Sequence, residues 1–133
     1  MRNLIFGLVL VCLITSCKTG TSPLEARAMK NPVEPTPKSV ASGKIVYDKY
    51  CAECHGAAGS GDGEKAKTLG EAGVKMPDLT DDKWDHGSTD GEIFVNIRDG
   101  VGVRGAMKGL DGRPGISETD IWNVVNYVRT LKR

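Results

Sequence analysis

The sequence Cys51-Ala52-Glu53-Cys54-His55 determines how the rest of the chain is interpreted. Two cysteines three positions apart lie about one helical turn from each other, so both sulfur atoms leave the same face of a helix. In that arrangement the two thiols can reach neighbouring substituents of one flat ligand. The imidazole of His55 follows at once and can bind the centre of the same ligand.

The pattern Cys-x-x-Cys-His is the attachment signature of c-type haem. The thiols add across two vinyl groups as thioethers, and the histidine takes one axial position on the iron. A disulfide between Cys51 and Cys54, or half of a zinc site, would use the same two cysteines. Zinc needs about two further soft ligands, and the sequence has no second Cys-x-x-Cys pair. A redox motif would accompany a βαβ pattern, and no convincing strand pattern is found. We therefore expect one covalent haem c, held by Cys51, Cys54 and His55.

Length and composition agree with a buried cofactor. The chain has 133 residues, which is room for one domain, and only 5% of them are aromatic. Protein side chains alone would give a thin core, and a buried haem would supply the missing apolar mass.

The flanks of the motif carry a family resemblance. The run from Gly43 to Gly63 resembles class I cytochromes c, particularly the small single-haem domains of bacterial respiratory chains. The resemblance continues through 77–80, Trp84, 90–100, Met107 and the last helix, and covers about residues 42–131. It implies a mainly α fold, the class I cytochrome c fold, with helices packed around one covalently bound haem. We expect this cytochrome c domain to occupy residues 41–133.

The resemblance also implies the second iron ligand. Met107 lies between the second and last predicted helices, in a segment similar to the axial-methionine loop of the family. Met76, His86, a lysine or an open position are the alternatives. The family further implies a backbone carbonyl, near Glu64, that accepts the proton on the other nitrogen of His55. We expect Met107 and His55 to be the axial iron ligands.

Residues 1–16 have the features of a bacterial export signal, with a short positive start, an apolar run and small residues before Cys17. The apolar run of roughly eleven residues is short for a transmembrane helix, which needs about twenty. Residues 13–17 resemble the bacterial lipobox, in which the cysteine becomes the acylated first residue. An ordinary signal peptide with an unrelated cysteine is the alternative. We expect lipidation at Cys17 and a proline-rich, lipid-anchored flexible tether over residues 17–40.

The first helix is expected over about residues 43–54, with Ser42 as its N-cap. In class I cytochromes c this helix crosses the last one at a glycine, and Gly43 is at the matching position. Tyr127 lies where the family keeps an aromatic ring against the first helix.

Two later helices are indicated by their ends. Thr89 and Glu92 form a capping-box pattern, and Gly100 supplies a stop. Ser117 and Asp120 form a second capping box, which opens a run of apolar residues at helical spacing.

Histidine and methionine together leave no coordination site for a substrate, so this ligand pair describes an electron carrier rather than an enzyme. The polypeptide offers no nucleophile with a base and no carboxylate pair. The net charge of +1 gives no support for nucleic-acid binding.

The expected function is one-electron transfer in a respiratory chain, between a quinol-oxidising complex and a terminal oxidase or other acceptor. The protein would be exported and lipid-anchored to a membrane, facing the periplasm or the cell exterior. A haem subunit of a periplasmic dehydrogenase and a gas-binding haem sensor are the alternatives. The sensor would need an open iron position.

Overall fold

The computed structural model describes residues 20–102 and 106–133. The signal peptide predicted over residues 1–16 and the lipidation site predicted at Cys17 lie outside these ranges. In chain order the elements are α1 (Pro23–Ala28), α2 (Pro37–Tyr50), α3 (Ala52–His55), α4 (Ala66–Glu71), α5 (Asp90–Asp99), β1 (Gly100–Val101), β2 (Met107–Lys108) and α6 (Glu118–Thr130). The mainly α architecture expected from the sequence is confirmed.

The packing of α2 against α6 forms the centre of the domain. At Gly43 a β-carbon would overlap the backbone carbonyl of Asn123, so only glycine permits this approach of the two helices. The rings of Tyr47 and Tyr127 meet edge to face, with their centroids 5.0 Å apart. The helix crossing expected at Gly43 and the aromatic contact expected for Tyr127 are both present.

Helix α5 completes the core from the other side of α6. The rings of Phe94 and Trp122 stack with a centroid distance of 3.9 Å and an interplanar angle of 12°. Both residues are buried. Stacked aromatic pairs contribute about 0.5–1.5 kcal/mol beyond the area that they bury, so this pair fixes α5 on α6.

The ends of α5 and α6 follow the predicted capping chemistry. Thr89 and Glu92 form a reciprocal capping box, and Gly100 ends α5 with a φ of 88°. Ser117 and Asp120 form the same reciprocal arrangement at the start of α6. Each box satisfies backbone amides that the first helical turn leaves without intrahelical partners.

The structure corrects the start of the first helix. Helix α2 begins at Pro37, not Gly43, and its N-cap is Thr36, whose hydroxyl accepts a hydrogen bond from the Ser39 amide at 3.2 Å. Proline is favoured in the first helical turn because its fixed φ suits the helix and its missing N–H has no intrahelical partner there. The helix also ends earlier than expected, at Tyr50.

The structure also corrects the flexible tether over residues 17–40 in its described part. Ser22 caps α1 in a third capping box, and Ala26 of α1 is buried against the domain. Within the described ranges, no helix combines the length and apolarity needed to cross a bilayer.

Candidate haem-binding site

A cavity of about 220 Å³ lies between α2, α5, α6 and the loop that precedes α5. Its walls are mainly apolar. The apolar residues that line it include Val74, Pro77, Leu79, Ile93, Ile97, Val101, Val124 and Val128. Cys51, His55, Met76, His86 and Met107 line the same cavity. The structure therefore brings both predicted axial ligands, and two of the alternatives, to one cavity.

The Cys-x-x-Cys-His motif lies at the corner between α2 and α3. The Cys51 amide donates to the Tyr47 carbonyl at 2.8 Å, and the His55 amide donates to the Cys51 carbonyl at 2.9 Å. Cys51 and Cys54 form no disulfide and are partly buried. Cys51 and His55 line the cavity, whereas Cys54 is not among its lining residues.

The glycine-rich loop that follows His55 binds the backbone of the motif. The Gly61 amide donates to the His55 carbonyl at 2.8 Å, and the Gly63 amide donates to the Cys54 carbonyl at 3.2 Å. A β-carbon at Gly63 would meet the carbonyls of Glu53 and Cys54. The glycine at this position therefore permits the close approach that holds the motif in place.

Tyr47 supports the same corner and was not predicted as a site residue. Its side chain is 1% exposed, lines the cavity, and donates a hydrogen bond from its hydroxyl to the Gly56 carbonyl at 2.8 Å. Burial raises the pKa of Tyr47, so the hydroxyl keeps the proton that it donates. Its position one turn before the motif, on the face that carries Cys51, is the sequence signal for this role.

Burial shifts the pKa values of Cys51 and His55. Desolvation raises the pKa of the Cys51 thiol to about 12, and the neighbouring Cys54 adds to the rise. Desolvation lowers the pKa of His55. At neutral pH the imidazole is therefore uncharged, which is the form that binds a metal ion.

The expected hydrogen bond from the second nitrogen of His55 is not formed in the structure. Nδ1 of His55 is buried and has no hydrogen-bond partner within the described residues. Metal-ligating histidines usually donate from this second nitrogen to a carbonyl, carboxylate or water. The carbonyl expected near Glu64 therefore remains unassigned.

Met107 reaches the cavity from a short antiparallel ladder. Val101 of β1 pairs with Met107 of β2, and Gly100 pairs with Lys108. These two-residue strands were not predicted, because they are too short to show an alternating pattern. The ladder holds Met107 at the edge of the cavity, close in sequence to residues 103–105, which the structure does not describe.

The two alternative ligands lie on the loop before α5. Asn96 of α5 donates from its side-chain amide to the His86 carbonyl at 3.0 Å, and this bond fixes the loop at that point. Arg129 of α6 donates to the Ser88 carbonyl at 2.6 Å and lies over the Trp84 ring, 5.7 Å from its centroid. Asn96 and Arg129 position this wall of the cavity, and neither was predicted from the sequence.

The loop that contains Met76 is held at two adjacent residues, Leu79 and Thr80. The Leu79 amide donates to the Gly59 carbonyl at 2.7 Å, and the Arg133 amide donates to the Thr80 carbonyl at 3.0 Å. Met76 therefore lies on a wall that contacts both the glycine-rich loop and the end of the chain.

The residues that are present fit haem c. An apolar cavity suits a porphyrin, Cys51 and Cys54 offer two thiols at the required spacing, and His55 offers a partly buried, neutral imidazole on the same corner. No other side chain of the described residues is hydrogen-bonded to the His55 ring.

Comparison with known families and proteins gives consistent matches. Residues 38–128 match the family described as cytochrome c oxidase, cbb3-type, subunit III. The cbb3-type cytochrome c oxidase subunit FixP of Azorhizobium caulinodans is 36% identical over 123 residues, which cover 88% of this chain and 37% of that protein. Subunit CcoP of Rubrivivax gelatinosus is 32% identical and covers 83% and 33%, respectively. Cytochrome c-554(547) of Halothiobacillus neapolitanus is 30% identical, over 69% of this chain and 96% of that protein.

The chain thus spans about a third of the length of the FixP and CcoP relatives. Among solved structures, a chain of the Kuenenia stuttgartiensis reducing HAO-like protein complex superposes with a TM-score of 0.62. It is 23% identical, and the match covers 79% of this chain and 50% of that one. At this identity the likeness shows the fold.

Proposed function

This chain belongs to the cytochrome c family described as cytochrome c oxidase, cbb3-type, subunit III, and we propose that it carries single electrons in a respiratory chain while anchored to a membrane. Membership of the family makes it a c-type cytochrome that binds haem c covalently and transfers electrons. The observation that carries the proposal is the single apolar cavity that brings Cys51, His55 and Met107 together.

In the proposed site Cys51 and Cys54 form the two thioethers, and His55 and Met107 are the axial iron ligands. Haem c, when bound, supplies an iron that gains and loses one electron reversibly. The chain contributes an uncharged imidazole, because burial lowers the pKa of His55. It also contributes an apolar wall, including Ile93 and Val124, that keeps water from the ligands.

The proposed attachment is a lipid on Cys17 after removal of residues 1–16. The lipobox-like sequence at residues 13–17 supports it, as does the apolar run before it. The domain would then face the periplasm or the cell exterior.

The proposed partners are a quinol-oxidising complex as donor and an oxidase or other acceptor. The relatives FixP and CcoP are themselves named as subunits of cbb3-type cytochrome c oxidases, which supports an acceptor of the oxidase class. Cytochrome c-554(547) shows that a domain of this kind can also form nearly a whole protein.

The experiment uses the purified, haem-loaded protein mixed with membranes of the source organism. Added quinol should reduce its haem, and oxygen should reoxidise it in a step that an oxidase inhibitor blocks. The alternatives predict other results. A dehydrogenase subunit would copurify with that enzyme and be reduced only by its substrate, and a gas sensor would bind carbon monoxide in the reduced wild-type protein.

A further inference from the structure

The segment before α2 is docked on the domain through α1 and α5. Ala26 is 4% exposed, and a β-carbon at Gly91 would overlap the Ala26 carbonyl, so the two helices touch through their backbones. Arg27 and Glu92 form an ion pair at 3.3 Å. The guanidinium of Arg98 donates to the Thr21 hydroxyl at 2.8 Å, at the other end of the contact.

A second group of contacts joins the rest of this segment to α6. The Asn31 side chain donates to the Asn126 side-chain oxygen at 2.8 Å. Asn126 in turn donates to the Val33 carbonyl at 3.0 Å and to the Ser39 hydroxyl at 3.1 Å. Asn126 is 5% exposed, and a buried amide without these partners would be costly. The segment over residues 21–36 is therefore fixed to the domain at both of its ends.

Helix α5 separates α1 from the cavity. Gly91 and Arg98 contact the docked segment and, seven residues apart, point in nearly the same direction. Ile93 and Ile97 line the cavity, and at about 100° per residue they point roughly 110–160° away from that direction. The docked segment and the cavity thus lie on opposite sides of α5.

Docking of residues 21–36 shortens the distance that can separate the folded domain from Cys17. Thr21 is the fourth residue after Cys17, and a fully extended chain of that length reaches about 14 Å. If the segment were undocked, the twenty residues to Pro37 would reach about 70 Å.

The outward side of α1 presents apolar side chains next to charged ones. Leu24 is 79% exposed, and Ala28, one turn later, is also exposed. Three charged side chains are exposed as well: Glu25 of the capping box, Arg27, which pairs with Glu92, and Lys30. Apolar side chains with neighbouring cations suit the boundary between lipid headgroups and acyl chains.

We propose that the docked segment over residues 21–36 holds the domain close to the lipid surface, with the outward side of α1 against the bilayer that carries Cys17. This inference rests on the lipid anchor proposed above. The cavity then lies on the side of α5 away from the lipid. Redox partners reach it from the aqueous phase or through domains that project from the membrane.

The test places a nitroxide label at one of two exposed positions in the haem-loaded, lipidated protein on liposomes that contain a nickel-chelating lipid. Ala28→Cys puts the label on the outward side of α1, and Lys75→Cys puts it at the edge of the cavity. The label at position 28 should be relaxed by nickel several-fold more strongly than the label at position 75. Equal relaxation at both positions overturns the proposal.

Undocking should remove the difference. Gly91→Leu places a side chain where the Ala26 carbonyl lies, and Asn31→Ala removes a partner of Asn126 without adding volume. The Asp111 amide donates to the carbonyl of Arg98, which contacts the docked segment, so a second label at Asp111→Cys should be relaxed by nickel in the otherwise unaltered protein. In either undocked variant the domain would move further from the lipid, and this label should lose its relaxation. An unchanged signal at position 111 in both variants contradicts a role for docking.

Hydrogen exchange tests the docking of residues 21–36 independently of the lipid anchor at Cys17. In the Cys17→Ser protein in solution, the amides of Ala26 and Met29, which donate to the Ser22 and Glu25 carbonyls, should be protected, and Asn31→Ala should reduce that protection. Rapid exchange in the unaltered segment overturns docking. If the segment is protected but the protein attaches to membranes without the lipid, the lipid anchor and the proposed membrane orientation are both wrong. The docking of the segment on the domain would still be confirmed.

Discussion

Gly43 of α2 lies directly against the backbone carbonyl of Asn123 in α6, and no β-carbon fits between them. The contact joins the first long helix of the domain to the last. It also sets the distance between Tyr47 and Tyr127, whose rings meet one turn further along α2. The position of the haem-binding corner therefore depends on the absence of a side chain at Gly43.

Gly43→Ala should lower the free energy of unfolding by about 1–3 kcal/mol, because overpacking forces the two helices apart. Gly70→Ala is the matched control, since Gly70 lies inside α4 with no atom within 4 Å of an added β-carbon. The control should be neutral or stabilising by up to about 1 kcal/mol. Guanidinium unfolding followed by circular dichroism measures both, and equal effects would contradict the close helix contact.

Haem should stay on the polypeptide after acid–acetone extraction and denaturation, because thioethers survive where coordination bonds do not. Cys51→Ser and Cys54→Ser should each keep the pigment through one thioether, and the double variant should release it. Mass spectrometry of the denatured chain gives the result. Complete loss of pigment from the unaltered protein would contradict covalent attachment.

Met107→Ala should lower the reduction potential by an appreciable part of the roughly 0.8 V range that axial ligands span. It should also let the reduced iron bind carbon monoxide. Met76→Leu and His86→Ala are the controls, because both side chains line the same cavity. If either control changed the reduction potential strongly and Met107→Ala did not, the second axial ligand would be assigned to that control residue.

Glu92→Gln should destabilise the domain at neutral pH and have progressively less effect in acid. The Thr89 amide and hydroxyl, and then Arg27, hold the pKa of Glu92 below its ordinary value of 4.5. The charged carboxylate therefore stabilises the folded state above pH 4.5, and this contribution is lost as the pH falls through the lower, folded-state pKa. Melting temperatures of both proteins between neutral pH and acid give the comparison, and a difference independent of pH would contradict it.

Cys17→Ser should release the exported protein from membranes with its reduction potential unchanged. One acyl chain binds only reversibly, so firm attachment needs the two or three chains that lipoprotein processing adds. Fractionation after a high-salt wash measures the release. Continued sedimentation with membranes would indicate a protein partner as the main attachment.

The features predicted correctly depend on local chemistry. Thr89 with Glu92 and Ser117 with Asp120 stabilise helix starts through residues three positions apart, so the pattern is complete in the sequence. The spacing of Cys51, Cys54 and His55 is local in the same way, and the structure places Cys51 and His55 at the cavity.

The docked segment was missed because its stability depends on distant partners. Its composition is polar and proline-rich, and Ala26 and Asn31 find their contacts only on α5 and α6. Two local signals were nevertheless present. Ser22 and Thr36 each precede a proline at the first helical position, and Glu25 completes a capping box with Ser22.

The residues that shape the cavity walls were missed for the same reason. Asn96 and Arg129 act on His86 and Ser88 through single side-chain hydrogen bonds to backbone carbonyls. Nothing in the sequence around Arg129 identifies Ser88 as its partner. Such contacts follow from the packing of α5 and α6.

The packing of α2 on α6 has a consequence for the order in which the chain folds. Gly43 and Asn123 are about 80 residues apart, so the loop closed by their contact must lose its conformational freedom before the core forms. A ribosome-bound chain that lacks α6 has no partner for the buried face of α2. The polypeptide thus stays open until α6 is present, whereas the hydrogen bonds that shape the Cys51–His55 corner lie within residues 47–63 and can form earlier.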